Sequence, residues 1–232
     1  MNRQNTISSH YLDKNGQKYC IDRFDEKMEF GRLFQTRYFK QFCDEQKDLL
    51  DFGCATGLFL RSLPARNRIG IEVNPHCLFE ARKINLKSNI MIQLHETLDS
   101  VEDECVDVII SNHALEHVLN PLRELNHMNR VLRPGGNLII VTPYDDFRSS
   151  QNKKFNPLDK DHHLFTWSPL NLGNLISEAG FYVKECNLCT SAWSPKIFWI
   201  KKSFGIQVFK TACFLLSILK HRREVFCLAA KP

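Results

Sequence analysis

Leu49-Leu50-Asp51-Phe52-Gly53-Cys54-Ala55-Thr56-Gly57 is an apolar run that passes straight into a glycine-rich turn. About twenty residues later a second apolar run, Arg68-Ile69-Gly70-Ile71, ends on an acid, Glu72. At the carboxyl end of a parallel strand, glycines permit positive φ and let a ligand approach the main chain closely, and the following helix presents N–H groups to it. A carboxylate at the tip of the next strand can accept hydrogens from both hydroxyls of a ribose. The stretch reads as a nucleoside-binding loop.

Spacing separates two classes of such loop. Nicotinamide and flavin enzymes use G-x-G-x-x-G, whose third glycine packs the helix on the sheet. Here the small residues fall at Gly53, Ala55 and Gly57, position 58 is Leu, and Asp51 stands two residues before the first glycine. The pattern D-x-G-x-A-x-G resembles motif I of the class I S-adenosylmethionine-dependent methyltransferases. Further motifs resemble that family in order. Arg68 to Pro75 is similar to its second strand, and Val106 to Val118, with Leu115-Glu116-His117-Val118, to its fourth strand and a following helix start. Leu132-Arg133-Pro134-Gly135-Gly136 is similar to its turn into strand five, and Phe165 to Phe181 to its last helix and strand. The resemblance covers residues 30 to 190 and a final strand at 225–229. Ala55, where many members carry Gly, is a departure.

The resemblance implies a Rossmann-like, doubly wound α/β fold with a seven-stranded, mostly parallel sheet and an antiparallel last strand. It implies S-adenosyl-L-methionine as cofactor and a small-molecule acceptor, through a hydroxyl of a lipid-like, quinone-like or sugar compound, as in ubiquinone-biosynthesis O-methyltransferases. The cofactor residues it implies are Arg32, Asp51, Gly53, Ala55, Gly57, Glu72, Val73, Thr97, Leu98 and Asn112, with Arg37 a competitor for the role of Arg32. A hydroxyl acceptor needs a base within hydrogen-bond reach. His113, His117, His162 and His163 are the candidates, and His117 serves equally well as a structural anchor. In the resembling enzymes an acid with the Glu-His pair is associated with divalent metal; here His113 occupies the acid's place, and no metal is expected. A silent cofactor-binding adaptor, and an RNA or protein methyltransferase, are the alternatives; a nicotinamide oxidoreductase is opposed by Leu58 and Asp51.

Strands are expected at 47–52, 68–72, 89–94, 106–111, 136–142, 181–188 and 225–229. Helices are expected at 24–44, 57–64, 75–85, 113–131 and 168–179, the last closed by Gly180. With 232 residues and 43% hydrophobic content, the chain suits a single domain. It divides into an N-terminal helical segment (1–46), a cofactor-binding core (47–190), an insertion (191–223) and a last strand (224–232). The first thirty residues lack a secretory core, and nine cysteines in no framework suit a reducing, cytoplasmic setting. Cys186-Asn187-Leu188-Cys189 stands alone and lacks the further ligands that zinc needs.

The insertion is the most individual segment. From Ser191 to Arg223 there is no acid but seven bases: Lys196, Lys201, Lys202, Lys210, Lys220, Arg222 and Arg223. Without those seven the chain carries 24 basic against 26 acidic residues, so the net positive charge resides here. Bulky apolar residues interleave with them, which suits a membrane surface, an acceptor-pocket lid or a dimer face better than nucleic acid. The apolar run 211–219 is too short to span a bilayer, so no crossing is expected. Oligomeric state is open.

Overall fold

The computed structural model describes residues 9–12, 14–22, 26–144, 155, 162–191 and 193–232. Seven strands form one sheet in the order β3-β2-β1-β4-β5-β7-β6. They are β1 (Leu49–Phe52), β2 (Arg68–Ile71), β3 (Gln93–His95), β4 (Val106–Asn112), β5 (Leu132–Pro143), β6 (Tyr182–Thr190) and β7 (Arg223–Ala230). Strands β1 to β5 pair in parallel, and β7 runs antiparallel to both β5 and β6. The chain leaves β1 toward β2 and β3, then returns across the sheet to β4. That reversal opens a crevice above the carboxyl ends of β1 and β4, where ligands of open α/β sheets bind.

Central strands covered on both faces read as continuous apolar runs. Alternate residues feed opposite layers, as the strand's period of two requires. Leu50, Ile109, Leu138 and Ile140 join Leu125, Leu172 and Ile176 on one face. Leu49, Val108, Ile110, Ile139 and Val141 join Phe39, Phe59 and Leu60 on the other. Helices α1 (Lys14–Asp22), α2 (Glu26–Gln35), α3 (Leu58–Ser62), α4 (Pro75–Leu86), α5 (Pro121–Val131), α6 (Pro169–Glu178) and α7 (Trp199–Leu219) complete the fold. At the foot of the sheet, Arg133 of the Arg-Pro-Gly-Gly turn bridges Asp48 and Asp107 at 2.9 and 2.8 Å, far along the strands from the crevice.

Several expected boundaries are corrected. The helix expected at 113–131 is two pieces: a 3-10 turn at Leu115–His117, then α5. Pro121 at the first helical position and the Asn120 side chain, which accepts the Arg123 N–H, set the start of α5, the usual place for a proline in a helix. The helix expected at 24–44 ends at Gln35 and continues as two 3-10 turns; residues 24 and 25 lie outside the described set. The third strand is only Gln93–His95, and α1 was not foreseen. Gly180, at φ 86°, closes α6 as expected, with the Phe181 N–H donating to the Ile176 carbonyl.

The insertion needs the largest correction. Its helical segment α7 spans 21 residues as two pieces joined at Gly205, and by length and composition alone the whole segment is long and apolar enough to cross a membrane. The expectation that none is long enough, drawn from 211–219 alone, left out Trp199 to Lys210. Gly205, at φ 81° and ψ 173°, breaks the helical path after one and a half turns, so the helix is not a straight rod.

Candidate active site

The loop after β1 is built from residues in left-handed conformation: Gly53 (φ 80°), Ala55 (φ 49°) and Gly57 (φ 76°). A Cβ at Gly53 would lie 2.5 Å from the Ala114 Cβ, so the β1 and β4 ends meet only because position 53 has no side chain. Glu72 ties the loop to the next crossover. Its Oε2 accepts the Ala55 N–H at 2.8 Å and its Oε1 accepts the Asn74 N–H at 2.7 Å. Asn74 in turn caps α4, accepting from the His76 and Cys77 N–H groups. Burial raises the Glu72 pKa, against the opposing pull of those backbone hydrogen bonds and of Arg32. Asp51, beneath the loop, is pushed up to about 8 by burial and by the Glu72 charge, with Arg32 opposing. Both Asp51 carboxylate oxygens and the Asn112 Oδ1 are buried and have no hydrogen-bond partner among the described residues.

Across the crevice, β4 ends in Asn112 and His113, the latter at φ 53°, a conformation uncommon outside glycine and found at functional sites. His113 Nε2 lies 3.1 Å from Glu224 Oε1. The 115–117 turn carries Glu116 and His117 inward, both buried. The Glu116 carbonyl accepts the Leu164 and Phe165 N–H groups at 2.9 and 3.2 Å, which brings His163 beside His117 with ring centroids 4.8 Å apart. From the N-terminal segment, the Tyr11 hydroxyl meets His117 Nδ1 at 2.8 Å. One cavity of about 490 Å³ joins the two sides, a size suited to a small-molecule ligand.

Residues 24–185 match the model of a family described as a methyltransferase domain. The chain belongs to that family. Over 184 residues it is 28% identical to the ubiquinone biosynthesis O-methyltransferase of Hydrogenovibrio crunogenus, covering 70% of this chain and 76% of that one. Its fold is similar to a methyltransferase solved in complex with the Haloferax volcanii Trm112 activator, with TM-score 0.67, 16% identity, and 95% and 98% of the two chains covered. It is also similar to Haemonchus contortus phosphoethanolamine N-methyltransferase 2 in complex with S-adenosyl-L-methionine: TM-score 0.60, 13% identity, 95% of this chain and 57% of that one.

The protein is thus a class I S-adenosylmethionine-dependent methyltransferase. The residues present fit that cofactor: among the described residues the buried Asn112 Oδ1, in the lining, and the buried Asp51 oxygens, beneath the loop, have no partner and suit an ammonium group, Glu72 retains lone pairs beyond its two backbone donors, and Arg32 lines the cavity. An ionised carboxylate offers about four acceptor sites, so two N–H donors do not saturate Glu72.

The cavity of this methyltransferase brings together Arg32, Gly53, Ala55, Glu72, Val73, Asn112, His113, His117 and His163. Asp51, Gly57, Thr97, Leu98 and His162 stand outside its lining. Leu98 is buried in the core, and His162 stacks on His10 with centroids 4.5 Å apart. His163 is the one of the pair that lines the cavity, but not by the alternation of an extended chain, because His162 sits at φ 46° in the left-handed region. Arg37 lies over the Tyr38 ring and donates to the Thr190 carbonyl; of Arg32 and Arg37, only Arg32 lines the cavity. Residues 145–161, which follow β5, lie outside the described residues except Phe155.

Sequence reading missed Tyr11, Tyr19, Gln35, Trp193, Arg222 and Glu224, all of which line the cavity. For Glu224 a signal existed, since it is the sole acid from Ser191 to the C-terminal Pro232. The absence of a metal, expected because His113 replaces an acid, overlooked His163. One ligand atom from each of Glu116, His117 and His163 lies within 4.8 Å of the others, an arrangement able to hold a divalent ion. Cys186 and Cys189 are free thiols on β6, and among the described residues neither belongs to a metal-competent group.

Proposed function

We propose that the protein methylates a hydroxyl of a small, largely apolar acceptor of quinone-like or lipid-like type. The observation that carries this reading is the single cavity lined both by the Gly53–Ala55 loop with Glu72 and by His113, His117 and His163 among tyrosine and tryptophan side chains. S-adenosylmethionine, when bound, supplies an electrophilic methyl with a good leaving group. The protein then has to hold the acceptor oxygen in line, exclude water and take up the hydroxyl proton. In this reading Glu72 orients the ribose, Asp51, Asn112 and Arg32 orient the amino-acid end, and Tyr11, Tyr19 and Trp193 flank the acceptor. A divalent ion on Glu116, His117 and His163 would be held as a Lewis acid near the acceptor oxygen.

Helix α7 supports a second element of the proposal, attachment to a membrane surface. One stripe, Phe209, Cys213 and Ser217, is buried against the fold. Around it Trp199, Phe204, Val208, Leu215 and Leu219 are each more than half exposed. A helix docked on its own domain along one side suits lying in the headgroup region with that apolar surface immersed. Lys202 and Lys220 flank this surface, whereas Lys201 and Lys210 lie over the rings of Phe30 and Phe34, at 3.9 and 5.3 Å.

The test is a screen for S-adenosylhomocysteine release across phenols, lipid-linked hydroxyl acceptors and sugars, with calorimetric titration of S-adenosylhomocysteine alongside. Turnover on an apolar phenol is the expected result. Turnover confined to sugars, amines or RNA would overturn the acceptor assignment, and absence of binding at millimolar ligand would overturn the cofactor site.

A further inference from the structure

Glu224 is 2% exposed, yet it is a carboxylate. Its Oε1 lies within hydrogen-bond distance of Gln35 Nε2 (3.0 Å), His113 Nε2 (3.1 Å) and Ser191 Oγ (2.9 Å), and its Oε2 accepts the Tyr38 hydroxyl at 3.0 Å. Four elements therefore converge on one side chain of β7: α2, the 3-10 turn after it, the end of β4 and the end of β6. Burial pushes the Glu224 carboxyl up, and the hydrogen bond and charge of His113, with Ser191 and Tyr38, outweigh it, so the net direction is down. An ionised carboxylate only accepts, so His113 Nε2 is the donor in this pair. In a neutral imidazole the lone pair then belongs to Nδ1. The network extends to the cofactor side, because Gln35 Oε1 accepts the Asn112 Nδ2–H at 3.0 Å.

We propose that Glu224 is the positioning residue of a Glu224–His113 pair in which His113 takes the proton of a hydroxyl acceptor, so that the substrate class is one with a weakly acidic O–H. This rests on the methyltransferase reading above and adds to it the identity of the base and of the group that orients it. In the step, the acceptor O–H bond breaks and its proton passes to His113 Nδ1. The oxygen's electron pair forms the O–CH₃ bond while the S–CH₃ pair returns to sulfur. The imidazolium formed is stabilised by the Glu224 charge and gives its proton to solvent after product leaves. A thiol acceptor, already largely reactive as its thiolate, does not require the pair. The other polar and titratable groups facing Glu224 are Tyr38, Ser191 and Gln35 by hydrogen bond, Cys189, whose Sγ lies 3.5 Å from the Glu224 carbonyl, and Arg37 through Tyr38.

The first experiment reads His113 directly, by long-range ¹H–¹⁵N correlation spectra of histidine-labelled protein across pH, with His113→Gln supplying the assignment. Expected in the wild type are the Nε2–H tautomer and a pKa above the ordinary histidine value, falling by about one unit or more in Glu224→Gln. A wild-type Nδ1–H tautomer, or an unchanged pKa in the variant, would overturn the proposal; if Glu224→Gln does not fold, the wild-type tautomer and pKa decide. The second compares a phenol and its thiol analogue. Glu224→Gln should lose at least about tenfold in kcat on the phenol and much less on the thiol, both measured at saturating S-adenosylmethionine, and equal loss on both acceptors overturns the proposal. Failure of the wild type to bind S-adenosylhomocysteine would instead overturn the underlying reading. Cofactor binding and a paired His113 with no turnover of any hydroxyl would overturn the base assignment alone.

Discussion

Glu72 Oε2 accepts the Ala55 backbone N–H at 2.8 Å, so the carboxylate expected to hold the ribose also holds the loop. Its other oxygen accepts the Asn74 N–H at 2.7 Å. Removing a buried acceptor leaves both N–H groups unsatisfied, at about 1–3 kcal/mol each. Glu72→Ala is therefore expected to lower Tm in the absence of ligand as well as to weaken S-adenosylhomocysteine binding by tenfold or more. Scanning calorimetry and titration calorimetry on the same preparation check the two effects, and an unchanged ligand-free Tm would contradict the loop role.

Asp51 gives a pH dependence of definite sign. Its carboxyl is raised from 3.8 to about 8 in the folded protein, chiefly by burial, and Glu72 is raised in the same direction. Between about pH 4 and 8 the folded state holds a proton that the unfolded chain releases, so ligand-free stability falls as pH rises through that window and levels above it. Urea unfolding at pH 5, 6.5 and 8 should show the decline. Asp51→Asn should flatten much of the slope and raise stability at pH 8, and it should reduce cofactor affinity chiefly above about pH 8, where the wild-type carboxylate is ionised and can pair with an ammonium while the amide cannot.

Local features were legible in the chain and convergent ones were not. The loop, Glu72, and strands β1, β2, β4 and β5 are contiguous patterns whose meaning depends on neighbours within a few residues. Glu224 acquires its role from residues 35, 38, 113 and 191, which no spacing rule connects. His163 reaches His117 only through two N–H groups donated to the Glu116 carbonyl. The misread helix at 113–131 is different, because Asn120-Pro121 was a start signal already present in the sequence.

Ala55 carries a Cβ at φ 49°, where an L-residue costs roughly 1–2 kcal/mol. Glycine relieves that strain but loosens the unfolded chain by about 0.4–1 kcal/mol. Ala55→Gly should thus stabilise the protein by roughly 0.5–1 kcal/mol, measured by urea denaturation. Gly53→Ala should do the opposite, through positive φ and the 2.5 Å approach to the Ala114 Cβ, and it should lower Tm before any ligand is added.

The Glu116, His117 and His163 group, with ligand atoms within 4.8 Å of one another, should bind a divalent ion. Zinc added to chelator-treated protein is expected to raise Tm, and His163→Ala to abolish the increase. Tyr11, whose hydroxyl meets His117 Nδ1, orients that ring from behind, as outer partners of metal-bound histidines do. Tyr11→Phe should weaken zinc by about tenfold or more without removing a ligand; equal Tm increases in wild type and His163→Ala would refute the site.

Two phenylalanines of α7 separate folding from membrane attachment. Phe209 is 0% exposed and packs on Phe30, Trp193 and Phe198 with ring centroids 5.8–5.9 Å apart, whereas Phe204 is 63% exposed. Phe209→Ala removes core packing and should cost about 3–5 kcal/mol in unfolding free energy. Phe204→Glu removes nothing from the core and should leave the urea midpoint nearly unchanged. It places a negative charge on the surface that is proposed to enter the bilayer, so co-sedimentation with phosphatidylglycerol vesicles should fall sharply for Phe204→Glu. Lys202 and Lys220 supply the electrostatic share of that attraction, about 1 kcal/mol per charge near an anionic surface, so binding of the wild type should weaken as salt is raised. Wild-type protein that stays in the supernatant at low salt would leave α7 to cover the pocket or a second copy of the chain instead.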